Sequence, residues 1–133
     1  MAENLASVKH TRVLLAEDNE LNRMVILAML KHLGYRADTA LNGIEVLLAL
    51  KHERYDLILM NIGMPEMDGI EATRQIRKLF QNGPKIIAVT AYALPDMKQR
   101  CLEAGMDDFI IKPLRIDELG AVLRNYQLSH FGT

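Results

Sequence analysis

Residues 57–65 read Leu-Ile-Leu-Met-Asn-Ile-Gly-Met-Pro, an uncharged apolar run that stops at an amide side chain and a turn. Three further apolar runs of this kind lie at 13–16, 86–89 and 109–111. Each run is continuously apolar instead of alternating, which is typical of strands that are covered on both faces of a parallel sheet. A weaker run at 36–40 alternates polar and apolar residues and predicts an edge strand.

Five amphipathic segments follow these runs and predict helices. Their starts carry side chains that can accept hydrogen bonds from free backbone N–H groups, and glycines that can end a helix follow two of them. The predicted caps are Asn42 with Glu45, Asp68 with Glu71, and Asp117, and the predicted end glycines are Gly34 and Gly105. The spacing in the first helix predicts a buried stripe of Leu21, Met24, Val25, Ala28 and Met29.

Strand and helix therefore alternate five times along the chain. This order predicts an α/β fold, a doubly wound five-stranded parallel sheet with helices on both faces and right-handed crossovers. In such folds the functional site lies beyond the carboxyl ends of the strands. The residues that follow each strand are therefore the first candidates for function.

Length and composition limit the classes of function. The chain has 133 residues, half of them hydrophobic, and a formal net charge of -1 from 16 Lys and Arg against 17 Asp and Glu. This fits one globular domain and argues against disorder and against a nucleic-acid-binding protein. No apolar run approaches the roughly 20 residues of a membrane span, and the start lacks an apolar signal core, so we expect a cytoplasmic protein without membrane partners. The single cysteine, Cys101, excludes an internal disulfide and fits a buried inert thiol.

Four polar clusters stand at the predicted strand ends: Glu17-Asp18-Asn19, residues 61–65, Thr90-Ala91 and Lys112-Pro113. They should converge on one edge of the sheet. Adjacent carboxylates with nearby carbonyl and amide oxygens suit a hard cation such as Mg²⁺. A hydroxyl and an ammonium group suit the oxygens of a phosphoryl group. The combination indicates metal-assisted phosphoryl chemistry.

The same clusters carry a family resemblance. The segments AEDN at 16–19, NIGMPEMDG at 61–69, VTAYA at 89–93 and IIKPL at 110–114 resemble the receiver domains of two-component response regulators. The resemblance spans residues 12–128, between an extension at 1–11 and a tail at 129–133. It implies a flavodoxin-like sheet with strand order 2-1-3-4-5.

The resemblance also implies site roles. Glu17, Asp18, the side chain at position 61 and the Gly63 carbonyl would bind Mg²⁺. Thr90 and Lys112 would contact the phosphoryl group, with a cis bond expected between Lys112 and Pro113. Thr90 and Phe109 would move on activation. A histidine kinase or histidine phosphotransfer protein would donate the phosphoryl group, and an output protein or domain would read the switch.

One position departs from the family. The phosphoacceptor aspartate is replaced by Asn61, and an amide oxygen is a far poorer nucleophile than a carboxylate. We therefore expect a chain that is not phosphorylated in the usual way and binds Mg²⁺ weakly. Because Asp18, Thr90 and Lys112 are intact, the favoured hypothesis is an engineered substitution in a phosphorelay receiver. The alternative is a natural pseudo-receiver that binds partners without phosphorylation.

An enzyme of similar topology is a third class of function. The haloacid-type phosphatases need Asp-x-Asp after the first strand, and flavodoxins need a phosphate loop rich in Ser, Thr and Gly. Glu17-Asp18-Asn19 is neither, so we expect no enzyme. The segment Glu17-Asp18-Asn19, followed by Asn22, resembles that of receiver domains attached to hybrid histidine kinases. No output domain is expected after the fifth helix.

Overall fold

The computed structural model describes residues 11–91 and 94–131, with side chains up to residue 126. Its five strands form one parallel sheet in the order β2-β1-β3-β4-β5, which confirms the predicted fold. In chain order the elements are β1 Val13–Ala16, α1 Glu20–His32, β2 Ala37–Ala40, α2 Gly43–His52, β3 Leu57–Asn61, α3 Gly69–Leu79, β4 Lys85–Thr90, α4 Pro95–Ala104, β5 Asp108–Ile111 and α5 Ile116–Phe131. The last helix continues past residue 129, where the tail was predicted to begin.

The register of the strands brings their carboxyl ends to one edge of the sheet. Ala16 at the end of β1 lies beside Met60 of β3, and Asn61 lies beside Val89 of β4. The last residue of β4, Thr90, lies beside the last residue of β5. The polar residues that follow β1, β3 and β5 therefore start from neighbouring points on the same edge.

The sheet is buried on both faces, as the continuous apolar runs predict. One core lies under α2, α3 and α4, and includes Leu14, Ile58, Met60, Ile86 and Cys101. The other lies under α1 and α5, and includes Val13, Leu15, Leu59, Ile87 and Leu123. Burial raises the pKa of the Cys101 thiol, which fits a packing role. In the described ranges no helix is both long and apolar enough to cross a membrane.

The predicted buried stripe of α1 is wrong. Leu21, Met24 and Val25 are 68%, 60% and 46% exposed, whereas Ile26 and Leu30 are buried against the sheet. The segment is apolar around most of its circumference, so its spacing fits more than one inward face. Packing against β1 and α5 selects the face of Ile26 and Leu30.

The start of α2 is capped by the predicted residues, Asn42 and Glu45, with one hydrogen bond displaced by a residue. The Asn42 side chain accepts a hydrogen bond from the backbone N–H of Glu45 at 2.9 Å. The Glu45 carboxylate reaches back to the N–H of Leu41, also at 2.9 Å, one residue further than a standard capping box. The two predicted end glycines, Gly34 and Gly105, have positive φ angles of 94° and 111° and lie at helix ends as expected.

The other two caps differ in part. Asp68 caps α3 by accepting from the N–H of Glu71 at 2.8 Å, but the Glu71 side chain pairs with Arg74 instead of reaching back. Asp117 does not cap α5, because that helix already begins at Ile116. Its carboxylate accepts from the N–H of the next residue inside the first turn.

Arg77 at the end of α3 joins three segments. Its guanidinium donates to the carbonyl oxygens of Gly105 at 2.9 Å and Pro84 at 2.8 Å. It also forms an ion pair with Asp107 at 2.9 Å, and that carboxylate accepts from the N–H of Ile86 at 2.8 Å. One side chain therefore holds α3, the start of β4 and the α4–β5 loop together.

We predict that Arg77→Met lowers the free energy of unfolding by about 1–3 kcal/mol, because two carbonyls and a carboxylate lose their donor. The matched control is Arg74→Met on the same helix. Arg74 is exposed and pairs with Glu71 at 3.3 Å, so its loss should cost less than about 0.5 kcal/mol. Urea unfolding of the three proteins checks this, and equal losses for the two variants would contradict it.

Candidate functional site

Five of the predicted site residues come together at the carboxyl edge of the sheet. Glu17 and Asp18 directly follow β1, and Asn61 is the last residue of β3. Gly63 lies in the loop that leaves β3, and Lys112 directly follows β5. The acidic, amide and ammonium groups that the sequence predicts for the site therefore lie together at one edge of the sheet.

The amide of Asn61 lies at the centre of this group. Its nitrogen donates to Glu17 Oε2 at 2.9 Å, to Asp18 Oδ1 at 3.1 Å and to the Gly63 carbonyl at 3.1 Å. Its oxygen accepts from Lys112 Nζ at 3.4 Å. Asn61 therefore contacts each of the other four residues.

Glu17 and Lys112 form an ion pair across the middle of the sheet edge. Lys112 Nζ lies 3.1 Å from Glu17 Oε1, and the Glu17 side chain is only 1% exposed. The second carboxylate oxygen of Glu17 accepts from the N–H of Asn19 at 3.2 Å as well as from Asn61. A buried carboxylate needs such partners, because an unpaired one would lose its hydration without compensation.

The oxygens of this site have the chemistry of a magnesium site. Carboxylates of Glu17 and Asp18 and the Gly63 carbonyl approach one point, and hard oxygen ligands are those that Mg²⁺ prefers. These three groups would hold the ion. Asn61 points its nitrogen at that location, so its oxygen reaches a cation only if the amide turns. Among the described residues, no three His, Cys, Asp or Glu side chains form a metal-binding group.

Thr90 and Phe109 lie close to the same edge. The Thr90 carbonyl accepts from the N–H of Lys112 at 2.7 Å, and the Lys112–Pro113 bond is cis, as expected. Phe109 lies beside Ala88 in the register, so its side chain and that of Thr90 lie on the same face of the sheet. Thr90 is buried, and Phe109 packs against the core under α2, α3 and α4. The two predicted switch residues therefore lie on adjacent strands and on the same face of the sheet.

Sequence reasoning missed the part that Gly69 plays in shaping the site. This first residue of α3 donates its N–H to the Ile62 carbonyl at 2.9 Å. A Cβ at this position would fall on the backbone carbonyl of Asn61 and on the side chain of Met60. Only glycine lets the helix approach the end of β3 so closely. The signal was a glycine directly after the capping Asp68.

The capping role of Asn19 and the contact of Arg23 with the acidic pair were missed too. Asn19 caps α1 by accepting from the N–H of Asn22 at 2.9 Å. Arg23 donates to the Glu17 carbonyl at 3.2 Å. These contacts tie the acidic pair to the first turn of α1. Polar side chains just after a strand and at the start of a helix were the available signal.

Comparison with known families gives a match over nearly the whole described chain. Residues 13–124 match the response regulator receiver domain family. The chain belongs to this family. The matched residues include all five strands, the acidic pair after β1 and the Lys-Pro pair after β5.

Curated relatives of this receiver domain include much longer histidine kinases. It is 49% identical over 131 residues to histidine protein kinase 1 of Candida albicans, covering 90% of this chain and 5% of that protein. It is 40% identical over 114 residues to the sensor histidine kinase RcsC of Escherichia coli K12, covering 86% of this chain and 12% of that protein. The chain therefore spans a small fraction of these relatives.

Solved receiver domains superimpose closely. One is the receiver domain of a sensor histidine kinase from Pseudomonas aeruginosa PAO1, with a magnesium ion coordinated in its active site cleft. It is 42% identical with a TM-score of 0.81, over 88% of this chain and 97% of that chain. Another is a receiver domain protein from Methanospirillum hungatei, 28% identical with a TM-score of 0.84, over 92% of this chain and 97% of that chain.

We predict that this receiver domain binds Mg²⁺ weakly. Asn61→Asp should bind the ion roughly 10- to 100-fold more tightly, because a carboxylate adds a negative charge beside it. Lys112→Ala should not weaken binding, since Lys112 competes with a cation for Glu17. NMR titration of the amides around Asp18 and Gly63 measures the affinities.

The matched control is Asn82→Asp, which adds the same charge at an exposed residue in the α3–β4 loop, at the opposite edge of the sheet. It should leave the Mg²⁺ affinity unchanged. An Asn61→Asp affinity equal to that of the unmodified chain would show that this position does not face the metal.

Proposed function

We propose that this receiver domain is the switch of a two-component phosphorelay, held in its unphosphorylated form by Asn61 at the acceptor position. The observation that carries the proposal is that Asn61 ends β3 and contacts Glu17, Asp18 and Lys112. A carboxylate at this point would have a cation site on one side and an ammonium group on the other. The neutral amide lacks the nucleophilic oxygen that forms an acyl phosphate.

The other groups of the site would serve a phosphoryl group. Lys112 would donate to its oxygens, and the Thr90 hydroxyl would donate to another oxygen as it moves. A bound Mg²⁺ would supply charge neutralisation for the transferred group. Thr90 and Phe109 share one face of the sheet, so a shift of Thr90 inward would act on the space that Phe109 fills. That coupling would carry the signal to the surface of α4, β5 and α5.

The partners follow from the same proposal. The phosphoryl donor would be a histidine kinase or a histidine phosphotransfer protein, and the reader an output protein or domain. The curated relatives are histidine kinases, which supports a place for this domain within a hybrid kinase pathway. Its role would be signalling and not turnover of a separate substrate. A cytoplasmic location stays a prediction.

The second candidate function is a pseudo-receiver that binds its partner without phosphorylation. One observation favours it: the Asn61 amide satisfies the acidic pair without a metal ion. The presence of Asp18, Thr90 and Lys112 supports the first candidate and the hypothesis that the substitution is engineered. Phosphorylation assays on the unmodified chain and on its Asn61→Asp variant separate the two candidates.

We predict that acetyl phosphate with Mg²⁺ leaves no acyl phosphate on the unmodified chain, because the nucleophilic carboxylate is missing at Asn61. Intact-protein mass spectrometry should show no stoichiometric phosphoryl adduct. An adduct that maps to Asn61 or its neighbours, and that survives acid but not base, would refute the placement of the acceptor.

We predict further that the single change Asn61→Asp gives a phosphorylatable domain, since the acidic pair and Lys112 are already in place. The adduct should be lost again in Asn61→Asp combined with Asp18→Ala, which removes a metal ligand. The control Asn82→Asp should stay unmodified. If Asn61→Asp remains inert with small-molecule donors and with several kinases, the pseudo-receiver is the better description.

A further inference from the structure

We propose that the Asn61 amide acts as a built-in substitute for the divalent cation, so that the acidic pair of this chain is held together without metal. The inference deepens the proposed function, on which it rests for the placement of Asn61 between the metal and acceptor positions. It concerns the metal-free chain and adds a stabilising role to a side chain otherwise regarded as a blocked acceptor.

The amide nitrogen of Asn61 is surrounded by oxygens at hydrogen-bond distance. The amide nitrogen lies 2.9–3.1 Å from one oxygen each of Glu17, Asp18 and Gly63, which belong to two separate chain segments. Both of its hydrogens carry partial positive charge, and hydrogen bonds to carboxylates are stronger than those between neutral groups. The nitrogen thus does at this point what a cation would do: it offsets repulsion between two carboxylates and a carbonyl.

The charges around Asn61 fix which way its amide faces. With the amide reversed, its oxygen would face the oxygens of Glu17, Asp18 and Gly63, while its NH₂ group would face the Lys112 ammonium. Every one of those contacts would be repulsive. In the observed orientation each contact joins a donor to an acceptor, including that from Lys112 at 3.4 Å. The arrangement is therefore electrostatically consistent at both ends of the amide.

This arrangement opposes metal binding. A cation at the same point would displace the nitrogen, and the Asn61 oxygen could join the ligands only by turning away from Lys112. Metal binding would cost the four hydrogen bonds of the Asn61 amide, and the contacts of the ion with Glu17, Asp18 and Gly63 would have to offset that loss. A carboxylate at this position behaves in the opposite way, because it offers no donor and adds a third negative side chain to Glu17 and Asp18.

Thermal unfolding in excess EDTA tests the proposal with three variants. Asn61→Asp adds charge and removes the donors. Asn61→Leu removes the donors without adding charge and keeps the same number and branching of side-chain heavy atoms. We expect both to unfold below the unmodified chain, each by on the order of 5 °C. Asn82→Asp, with the same added charge at the opposite edge of the sheet, should stay within about 1 °C.

Mg²⁺ in place of EDTA should restore most of the stability that the charged variant has lost. It should raise the unfolding temperature of Asn61→Asp by several degrees, on the order of its loss, and change that of the unmodified chain little. If Asn61→Leu is as stable in EDTA as the unmodified chain, the amide donors do not hold the acidic pair and the proposal is overturned. If only Asn61→Asp loses stability, added charge alone explains the loss, which also overturns it.

A spectroscopic measurement tests the amide directly. The two side-chain N–H protons of Asn61 should exchange with water more slowly than those of the exposed Asn82, and Asp18→Ala should speed their exchange. Equal exchange for Asn61 and Asn82 would refute the proposal. These readouts do not involve phosphorylation. A failure of Asn61→Asp to accept a phosphoryl group would therefore count against the proposed function only.

Discussion

The ion pair between Glu17 and Lys112 is the contact on which the site depends. The two residues are 95 positions apart, and they meet because β1 and β5 run parallel and end at the same edge. Glu17 is almost fully buried, so its charge is tolerable only while the Lys112 ammonium and two N–H donors satisfy it. The fold therefore brings Lys112 next to Glu17, and the ammonium group allows a carboxylate to be buried at the end of β1.

The fold and the location of the site follow from simple features of the sequence. Continuous apolar runs require cover on both faces, and alternation with helices leaves a parallel sheet as the outcome. Parallel strands end together, so the sequence alone predicts that Glu17, Asn61 and Lys112 lie near one another. The strand order and the roles of the switch residues came from the resemblance to receiver domains, because neither strand order nor conformational change is encoded in periodicity.

Other features depend on tertiary packing and could not be predicted from spacing. The first helix is apolar on several sides, so only its contacts with the sheet decide that Ile26 and Leu30 face inward while Met24 faces out. Asp117 has the chemistry of a cap but lies one residue inside the helix. The orientation of Asn61 needed the positions of both carboxylates and of Lys112, since an amide can face a cation site with either end.

Asn61 shows how one atom can change the requirements of a site. Exchanging an oxygen for an NH₂ group removes a charge and introduces two donors, at a point where three oxygens already converge. An acidic cluster that would be strained without a cation becomes satisfied by its own neighbours. Under the proposal, the donors that relieve this strain would also occupy the place of the metal. Crowded negative charge suits a receiver to phosphoryl transfer, and the same crowding would lower its stability without metal. Loss of the acceptor carboxylate and gain of metal-free stability would then be two results of one substitution.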